Sequence, residues 1–386
     1  MVTGSKELIR DINTHLVLET ILNNGPVSRA KIASLLGLTK ATVSAIVADL
    51  ISQKLIKETG SDKAGPGRRA ILLSFCSENG RILSIDLGVN TITIFTSDLC
   101  GKNCGLRQFR NSYSRDTIID GLSSIIKKVI KAPEETAFGF VGICIGVHGT
   151  VYNNEITFAP YYDYAHLPIA EALSEQFSIP VYLENEANLS VVGERSFCFR
   201  AQELIGISVH SGIGVGIILN GQLYTGAKGN AGEFGHTIVE AHGRQCPCGN
   251  AGCLEQYASE RAILQDYAKA LGVRSVSIDR LIADYNANDE IACAMIERFV
   301  SYIAVGINNL LNTFNPEVVV INSSFTIYIP DLIGRIEEKL KNRMNACSIV
   351  PSGLQDTSIL LGGVCVCIHH FLGVHYLSPN NTFTVG

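Results

Sequence analysis

The sequence predicts an α/β protein in which a small helical head precedes a larger body made of two similar halves. Three observations support this prediction. Residues 1–76 contain short helices joined by a glycine turn, residues 81–386 repeat a strand followed by a glycine-rich turn, and histidine and cysteine cluster at residues 236–253. Alternation of strands and helices is typical of layered α/β domains. We therefore expect two domains, at residues 1–76 and 81–386.

The composition is that of a folded protein without a membrane anchor. Apolar residues make up 46% of the 386 residues and charged residues 17%. No apolar stretch reaches the ~20 residues of a membrane span, and residues 1–11 lack the apolar run of a secretory signal. We therefore expect a cytoplasmic protein with no membrane partner, whose twelve cysteines bind metal or are buried.

The charge is distributed unevenly along the chain. Residues 1–80 carry a net charge of +3 and the remainder −8, within a total of −5. This asymmetry favours a nucleic-acid-binding head on an acidic body.

The head has the signals of a helix-turn-helix. Residues 13–24 have apolar side chains at helical spacing and end at Gly25-Pro26. Ser28 and Thr39 are placed to cap a second and a third helix, with Gly37 in the turn between them. The second helix is expected to carry Ile32, Leu35 and Leu36 on one face. Two helices joined by a short glycine-containing turn are typical of a helix-turn-helix.

A basic loop follows these helices. Residues 55–58 and 70–75 predict two strands, with lysine and arginine between them, as in the wing of a winged helix-turn-helix that binds DNA. Short or basic side chains at the helix starts and in the loop are the predicted DNA contacts: Ser28, Arg29, Thr39, Lys40, Ala41, Thr42, Ser44, Lys63, Arg68 and Arg69. The alternative is a generic three-helix module with a solvated charge run.

Four potential metal ligands follow the spacing H-x9-C-x-C-x4-C: His236, Cys246, Cys248 and Cys253. Three thiolates and one imidazole complete a tetrahedral zinc site and leave no position for water, so we predict a structural Zn²⁺. Glu233 and Glu255 flank the cluster, so the metal would hold two acids in place. The alternative is unrelated buried cysteines or a disulfide.

The body predicts two copies of a β-β-β-α-β-α unit. The first opens with a strand at residues 81–88 that ends in Asp-x-Gly, and the second with a strand at residues 205–209 before a glycine-rich turn. Two such units around a ligand cleft make an actin-like, or ribonuclease H-like, architecture. Residues 317–321 predict a late core strand, and LLGGVCVCIHHFLG predicts a buried helix after Gly-Gly.

Together these motifs resemble the ROK family of sugar-responsive repressors and sugar kinases. The resemblance covers nearly the whole chain, and these motifs carry it: GLTKATVS, GPGRR, IDLGVN, ENEAN, SGIGVGIILNG, GEFGH and CPCGNAGCLE. It implies two actin-like subdomains around a sugar cleft, zinc near that cleft, and a homodimer or higher homo-oligomer.

The resemblance also implies a sugar site, made of Gly149 through its backbone, Asn185, Glu186, Glu233, His236 and Glu255. Such groups pair with sugar hydroxyls and discriminate by leaving mismatched partners unpaired. His236 would place one nitrogen on zinc and the other toward the ligand. Tyr161 stands where family members often have Asn and would narrow the pocket or spoil it. His148 stands where the kinases have Pro.

Three departures from the kinase pattern predict that phosphoryl transfer is lost. Val89-Asn90 replace Gly-Thr in the first phosphate loop, and Asn322-Ser323 replace Gly-Gly beside the nucleotide. Glu186 replaces the Asp that acts as the base and is one methylene longer, and a shift of ~1 Å can cost ~100-fold. We predict no catalytic residue and treat Glu186 as a vestigial base. The N-E-A-N sequence is similar to that of xylose-repressor-type members.

The sequence therefore predicts a sugar-responsive transcriptional regulator, a repressor of a carbohydrate-use operon, with xylose among the candidate sugars. The head would bind operator DNA as a dimer, and a monosaccharide in the cleft would weaken that binding. Two alternatives remain: an ATP-dependent sugar kinase with a fused DNA-binding head, and a zinc-stabilised protein whose body docks another protein.

Overall fold

The head is a winged-helix unit in a computed structural model that describes residues 6–61, 70–102, 105–130, 136–340 and 347–374. Its elements are α1 (Lys6–Asn24), β1 (Val27–Ser28), α2 (Arg29–Leu36), α3 (Lys40–Ser52), β2 (Ile56–Ser61) and β3 (Ile71–Phe75). The strands form one sheet in the order β1-β3-β2. The helix α1 begins well before the predicted residue 13, and β1 was not predicted.

Both predicted caps of the head are present. Ser28 Oγ accepts the N–H of Lys31 at 3.3 Å, and Thr39 Oγ1 accepts the N–H of Thr42 at 3.1 Å. Leu35, expected on the same face as Ile32, is 51% exposed, whereas Ile32 is buried. The short helix α2 contacts the core of the head through Ile32 and Ala33.

The first half of the body extends from β4 to α6. Its elements are β4 (Arg81–Leu87), β5 (Thr91–Ser97), β6 (Gly105–Arg110), α4 (Ile118–Val129), β7 (Phe140–Val147), β8 (Thr150–Tyr152), β9 (Glu155–Phe158), α5 (Ile169–Phe177), β10 (Val181–Asn185) and α6 (Glu186–Phe197).

The second half extends from β11 to α13. Its elements are β11 (Leu204–Val209), β12 (Ile213–Leu219), β13 (Gln222–Leu223), α7 (Glu255–Ala258), α8 (Glu260–Ala270), α9 (Ile278–Asn286), α10 (Glu290–Phe314), β14 (Val318–Asn322), α11 (Ser324–Tyr328), α12 (Leu332–Lys339), β15 (Ser348–Pro351) and α13 (Ser358–Leu372). Within the described residues, no single helix is long and apolar enough to cross a membrane.

The two halves repeat one sheet topology, which confirms the predicted duplication. The sheet orders are β10-β7-β4-β5-β6 and β13-β12-β11-β14-β15. In each sheet the first three strands are antiparallel, and the two later strands run parallel to the first. The carboxyl ends of the parallel strands face the crevice between the halves, which is where ligands bind in open α/β sheets.

Two helices pack between the sheets and join the halves. The helix α13 packs on β4 and β7, and α6 packs on β11 and β12, with α6 and α13 in contact. Gly362 lies where they meet, because a Cβ there would be 1.9 Å from the carbonyl oxygen of Leu189. The prediction that the last helix follows Gly-Gly is therefore wrong: the glycines lie inside α13 because only they permit this close approach.

The head packs on the body through the end of α13. Val17 and Ile21 of α1 belong to the same buried cluster as Leu372 and Val374. A Cβ on Gly373 would be 2.7 Å from Nε2 of His15 in α1. The division of the chain at residues 76–81 stays a prediction.

Candidate functional site

A polar cavity lies between the halves, at the carboxyl ends of β7, β10 and β11. All six residues predicted to bind a sugar line it: Gly149, Asn185, Glu186, Glu233, His236 and Glu255. Together they span more than 100 positions of the sequence, from Gly149 to Glu255, and the two sheets bring them together. His148, Tyr161, His210 and Ser211 line the same cavity.

Glu186 has an unsatisfied carboxylate oxygen. Its Oε2 is buried and has no hydrogen-bond partner among the residues that the structure describes. Burial raises the pKa of this carboxyl, although the charges of His148 and His210 oppose the shift. Because buried polar atoms in folded proteins are nearly always paired, this oxygen is suited to accept a hydrogen bond from a ligand.

Asn185 and Gly149 have structural roles that limit what they offer a ligand. Asn185 Oδ1 accepts the N–H groups of Ala187 and Asn188 at 2.9 and 3.1 Å and so caps α6. Its Nδ2 donates to the carbonyl of Gly149 at 2.9 Å. One N–H of the amide then remains for a ligand.

The two remaining acids lie against the second half of the body. Glu255 Oε1 accepts from Arg261 at 3.1 Å, and Glu255 Oε2 accepts the N–H of Ile213 at 3.4 Å. Glu233 is more open: Thr150 donates to its Oε1 at 3.3 Å, and its Oε2 lies 3.8 Å from His236 Nε2. The two nitrogens of His236 therefore face different partners.

The other nitrogen of His236 belongs to a compact cluster of possible metal ligands. The ligand atoms of His236, Cys246, Cys248 and Cys253 all lie within 4.8 Å of one another. Nδ1 of His236 is 3.5 Å from Cys246 Sγ, and the sulfurs of Cys248 and Cys253 are 3.6 Å apart. In a tetrahedral site with Zn–S bonds of about 2.3 Å and Zn–N bonds of about 2.0 Å, neighbouring ligand atoms lie about 3.5–3.8 Å apart. The donor set therefore fits zinc.

The disulfide alternative does not match this geometry. The separation of 3.6 Å between the sulfurs of Cys248 and Cys253 far exceeds the ~2.05 Å of a disulfide bond. Gln256 Nε2 also lies 3.5 Å from Cys246 Sγ, where it would donate to a thiolate.

A further acid, Glu260, was missed by the sequence analysis. Its Oε1 accepts from Ser323 Oγ at 2.9 Å and from the N–H of Ser324 at 2.6 Å, and its Oε2 lies 3.9 Å from Nδ1 of His210. The carboxylate thus joins the ends of β11 and β14, next to Asn322, whose Nδ2 donates to Ser358. The only sequence signal for this group of contacts was the polar residue that directly follows each strand, His210 after β11 and Ser323 after β14.

An ion pair lies on the opposite side of the cavity. Nε2 of His148 is 2.9 Å from Asp86 Oδ1, the acid of the Asp-x-Gly turn. Burial lowers the pKa of His148, but the hydrogen bond and charge of Asp86, with the charge of Glu186, raise it to about 9. His148 is therefore protonated at neutral pH and neutralises Asp86.

The structure also locates the predicted DNA contacts of the head. Lys40, Ala41 and Ser44 are exposed at the start of α3. Ser28 and Thr39 are the caps, and the hydroxyl of Thr42 is 2.8 Å from that of Thr39. Arg29 donates to Glu58 at 2.7 Å, which reduces its availability for phosphate. Lys63, Arg68 and Arg69 lie outside the described residues.

The fold and the cavity define a winged-helix protein whose larger part has an actin-like kinase fold. The ROK family profile matches residues 82–367, and that of the MarR family matches residues 11–65. The chain belongs to the ROK family. It is 32% identical to the xylose repressor of Bacillus spizizenii, over 96% of this chain and 98% of the relative.

Solved structures similar to the chain include a transcriptional regulator and a kinase. One is a ROK family transcriptional regulator, a homologue of the E. coli MLC protein, with a TM-score of 0.83, 25% identity, and coverage of 95% of this chain and 98% of that one. The other is a ROK family glucokinase from Streptomyces griseus in complex with glucose and AMPPNP, with a TM-score of 0.65, 24% identity, and coverage of 74% and 99%. The second likeness concerns the fold alone.

Proposed function

We propose that the chain is a sugar-responsive transcriptional repressor of a carbohydrate-use operon, with a kinase-like body that binds a monosaccharide without phosphorylating it. The cleft carries this proposal. On its sugar side Glu186 keeps a buried oxygen without a partner among the described residues, and on the side where the kinases hold their nucleotide Glu260 joins the ends of β11 and β14. The full-length similarity to a xylose repressor supports xylose as the effector.

The head is proposed to bind operator DNA as a homodimer, in the cytoplasm. Exposed Lys40, Ala41 and Ser44 at the start of α3 suit the major groove. Helix-turn-helix dimers bind two half-sites, so a two-fold operator is expected. A sugar that prefers one closure state of the cleft would change the placement of the two heads and weaken binding.

The metal cluster is proposed to hold a structural zinc ion. His236, Cys246, Cys248 and Cys253 would be its ligands, and a bound zinc would hold the segment between β13 and α7 rigid. Rigidity there would fix Glu233 and Glu255, which lie on either side of the cluster in the sequence.

Two features of the cleft support the loss of phosphoryl transfer. Asp86, at the first phosphate loop, is neutralised by His148 at 2.9 Å. The carboxylate of Glu260 lies at the N–H of Ser324, where a nucleotide would need space and would meet a like charge. Val89-Asn90 and Asn322-Ser323 occupy the remaining loop positions, and Glu186 is proposed as a vestigial base.

The test is operator binding with and without sugar. Operator DNA would be selected from random sequences with the purified protein, and its affinity measured with D-xylose, D-glucose and other monosaccharides. We expect one sugar to weaken operator binding at least tenfold. If no monosaccharide changes the affinity, the effector role fails and a body that docks another protein is favoured.

The second candidate function is an ATP-dependent sugar kinase with a fused DNA-binding head. It is favoured by the carboxylate that remains at Glu186 and by the fold shared with a glucokinase. A coupled assay of ATP consumption over a sugar panel separates the two functions. We expect no turnover, and turnover that Glu186→Gln abolishes would establish the kinase.

A further inference from the structure

The segment between β9 and α5 reaches from the first half of the body into the cleft. Two hydrogen bonds hold Tyr162 of this segment in place: its phenol oxygen accepts the N–H of His148 at 2.9 Å, and its hydroxyl donates to the carbonyl of Leu87 at 3.1 Å. The ring of Tyr162 also stacks on that of Tyr164, with centroids 4.4 Å apart. This anchored neighbour fixes the backbone from which Tyr161 projects into the cavity.

The hydroxyl of Tyr161 meets residues of the second half of the body. It lies beside Ser211 and near the charges of Glu255 and Arg261. Burial and the charge of Glu255 raise the pKa of Tyr161 to about 12, so the phenol keeps its proton at neutral pH. Tyr161 therefore crosses the cleft from one half to the other.

Gly212 provides the space that the phenol occupies. A Cβ on Gly212 would be 2.6 Å from Tyr161 Oη and 2.7 Å from Glu255 Oε2. The two oxygens therefore converge on the same small volume. A ligand group that reaches Glu255 by this route must share that volume with Tyr161 or displace it, and the cavity has a volume of only about 60 Å³.

We propose that Tyr161 determines the size of sugar that the cleft accepts. Its hydroxyl shares with Glu255 Oε2 the small volume above Gly212. A sugar with an exocyclic carbon needs more of that volume than one without, so the site selects a monosaccharide with hydroxyls on its ring and no hydroxymethyl group. This inference rests on the proposed sugar-binding function and adds the residue that sets its specificity. A pocket can exclude a ligand with one extra carbon by about 10- to 200-fold.

Calorimetry with D-xylose and D-glucose tests the proposal, because these sugars differ by one hydroxymethyl group. We expect the full-length wild type to prefer xylose, and Tyr161→Ala to reduce that preference by about tenfold or more through a gain in glucose affinity. Tyr161→Phe keeps the ring and should keep the preference. Tyr328→Ala, at a tyrosine that is 58% exposed, is the matched control.

The outcomes separate the two proposals. If the wild type prefers xylose and Tyr161→Ala keeps the full preference, Tyr161 is not the selector, although the sugar-binding function stands. A wild type that prefers glucose overturns the size argument in the same way. A wild type that binds no monosaccharide overturns the proposed function and this inference with it. Melting curves verify folding, and Tyr161→Asn, which also shortens the side chain, replaces Tyr161→Ala if that variant unfolds.

Discussion

At the scale of single residues, the pair of His148 and Asp86 makes the stability of the cleft depend on pH. The pKa of His148 rises from 6.5 to about 9 in the folded protein, despite burial, because of Asp86 and Glu186. Because the pKa of His148 is higher in the folded than in the unfolded protein, its protonated form stabilises the folded state. This contribution is complete below pH 6.5 and is lost as the pH rises through about 9. The pair contributes roughly 3 kcal/mol at most.

We predict that His148→Gln lowers the melting temperature most at about pH 6, and that the difference from wild type disappears near pH 10. Thermal unfolding followed by circular dichroism across this range measures it. His166→Gln is the control, because His166 also pairs with an acid, Glu155 at 2.7 Å, but on the surface, where ion pairs contribute little. A difference for His148→Gln that stays constant with pH would contradict the prediction.

The residues of the cleft also show which contacts a sequence can predict. Asn185, Glu186 and the cysteines stand in compact motifs, where local spacing indicates their chemistry. Glu260 acts through Ser323, 63 positions away, and no local pattern encodes such a pairing. The role of the Asn185 side chain as a helix cap was also not predicted, because an amide suits a helix cap and a ligand-binding residue equally well.

At the scale of elements, the crossing of α6 and α13 depends on glycine. A Cβ on Gly362 would lie 1.9 Å from the carbonyl oxygen of Leu189, so the helices would have to separate. We predict that Gly362→Ala destabilises the body by about 3 kcal/mol or more. Chemical denaturation measures the change.

Gly334 is the matched control for this prediction. It also lies inside a helix, α12, but in the described parts of the chain nothing lies within 4 Å of a Cβ placed there. Gly334→Ala should therefore stabilise the protein by up to about 1 kcal/mol, since alanine favours helix. Equal effects of the two substitutions would show that helix propensity, and not the crossing, decides the outcome.

The segment between β13 and α7 leads to a prediction about metal. It has little regular structure, so its ligands must be held by something other than a backbone ladder. We predict about one zinc per chain by elemental analysis, with loss of the metal and a lower melting temperature in Cys248→Ser. Cys293→Ser, at a cysteine on α10 outside the cluster, should change neither. Metal-free wild type with an unchanged melting temperature would exclude the structural role.

The helices and strands were easier to predict from the sequence than which of their side chains are buried. The two helix caps of the head and the strands that open the two halves of the body were predicted correctly, since these signals are local. The exposure of Leu35 and the position of Gly362 inside a helix depend on what packs opposite. Tertiary contacts therefore decided the points where local patterns failed.

At the scale of the whole molecule, a sugar-responsive repressor requires a physical connection between the sugar cleft and the DNA-binding head. The helix α13 contacts both the body and the head. This helix packs on the first sheet and on α6, which begins at Glu186 in the cleft, and its C-terminal cap, Gly373, lies beside His15 of the head. We therefore expect movement of either half of the body to reach α1. The repeated sheets could be predicted from the sequence, but this contact could not, because it joins opposite ends of the chain.

We predict that Gly373→Ala leaves sugar affinity unchanged and reduces the effect of the sugar on operator binding. A Cβ at Gly373 would be 2.7 Å from the ring of His15 and would alter how the head packs. Gly272→Ala controls for backbone strain, since Gly272 has a φ of 68° against 65° at Gly373, yet nothing described in the structure lies within 4 Å of its added Cβ. Calorimetry with sugar and operator titrations measure the two quantities separately. If both variants respond to sugar as the wild type does, the contact between α1 and α13 does not carry the signal.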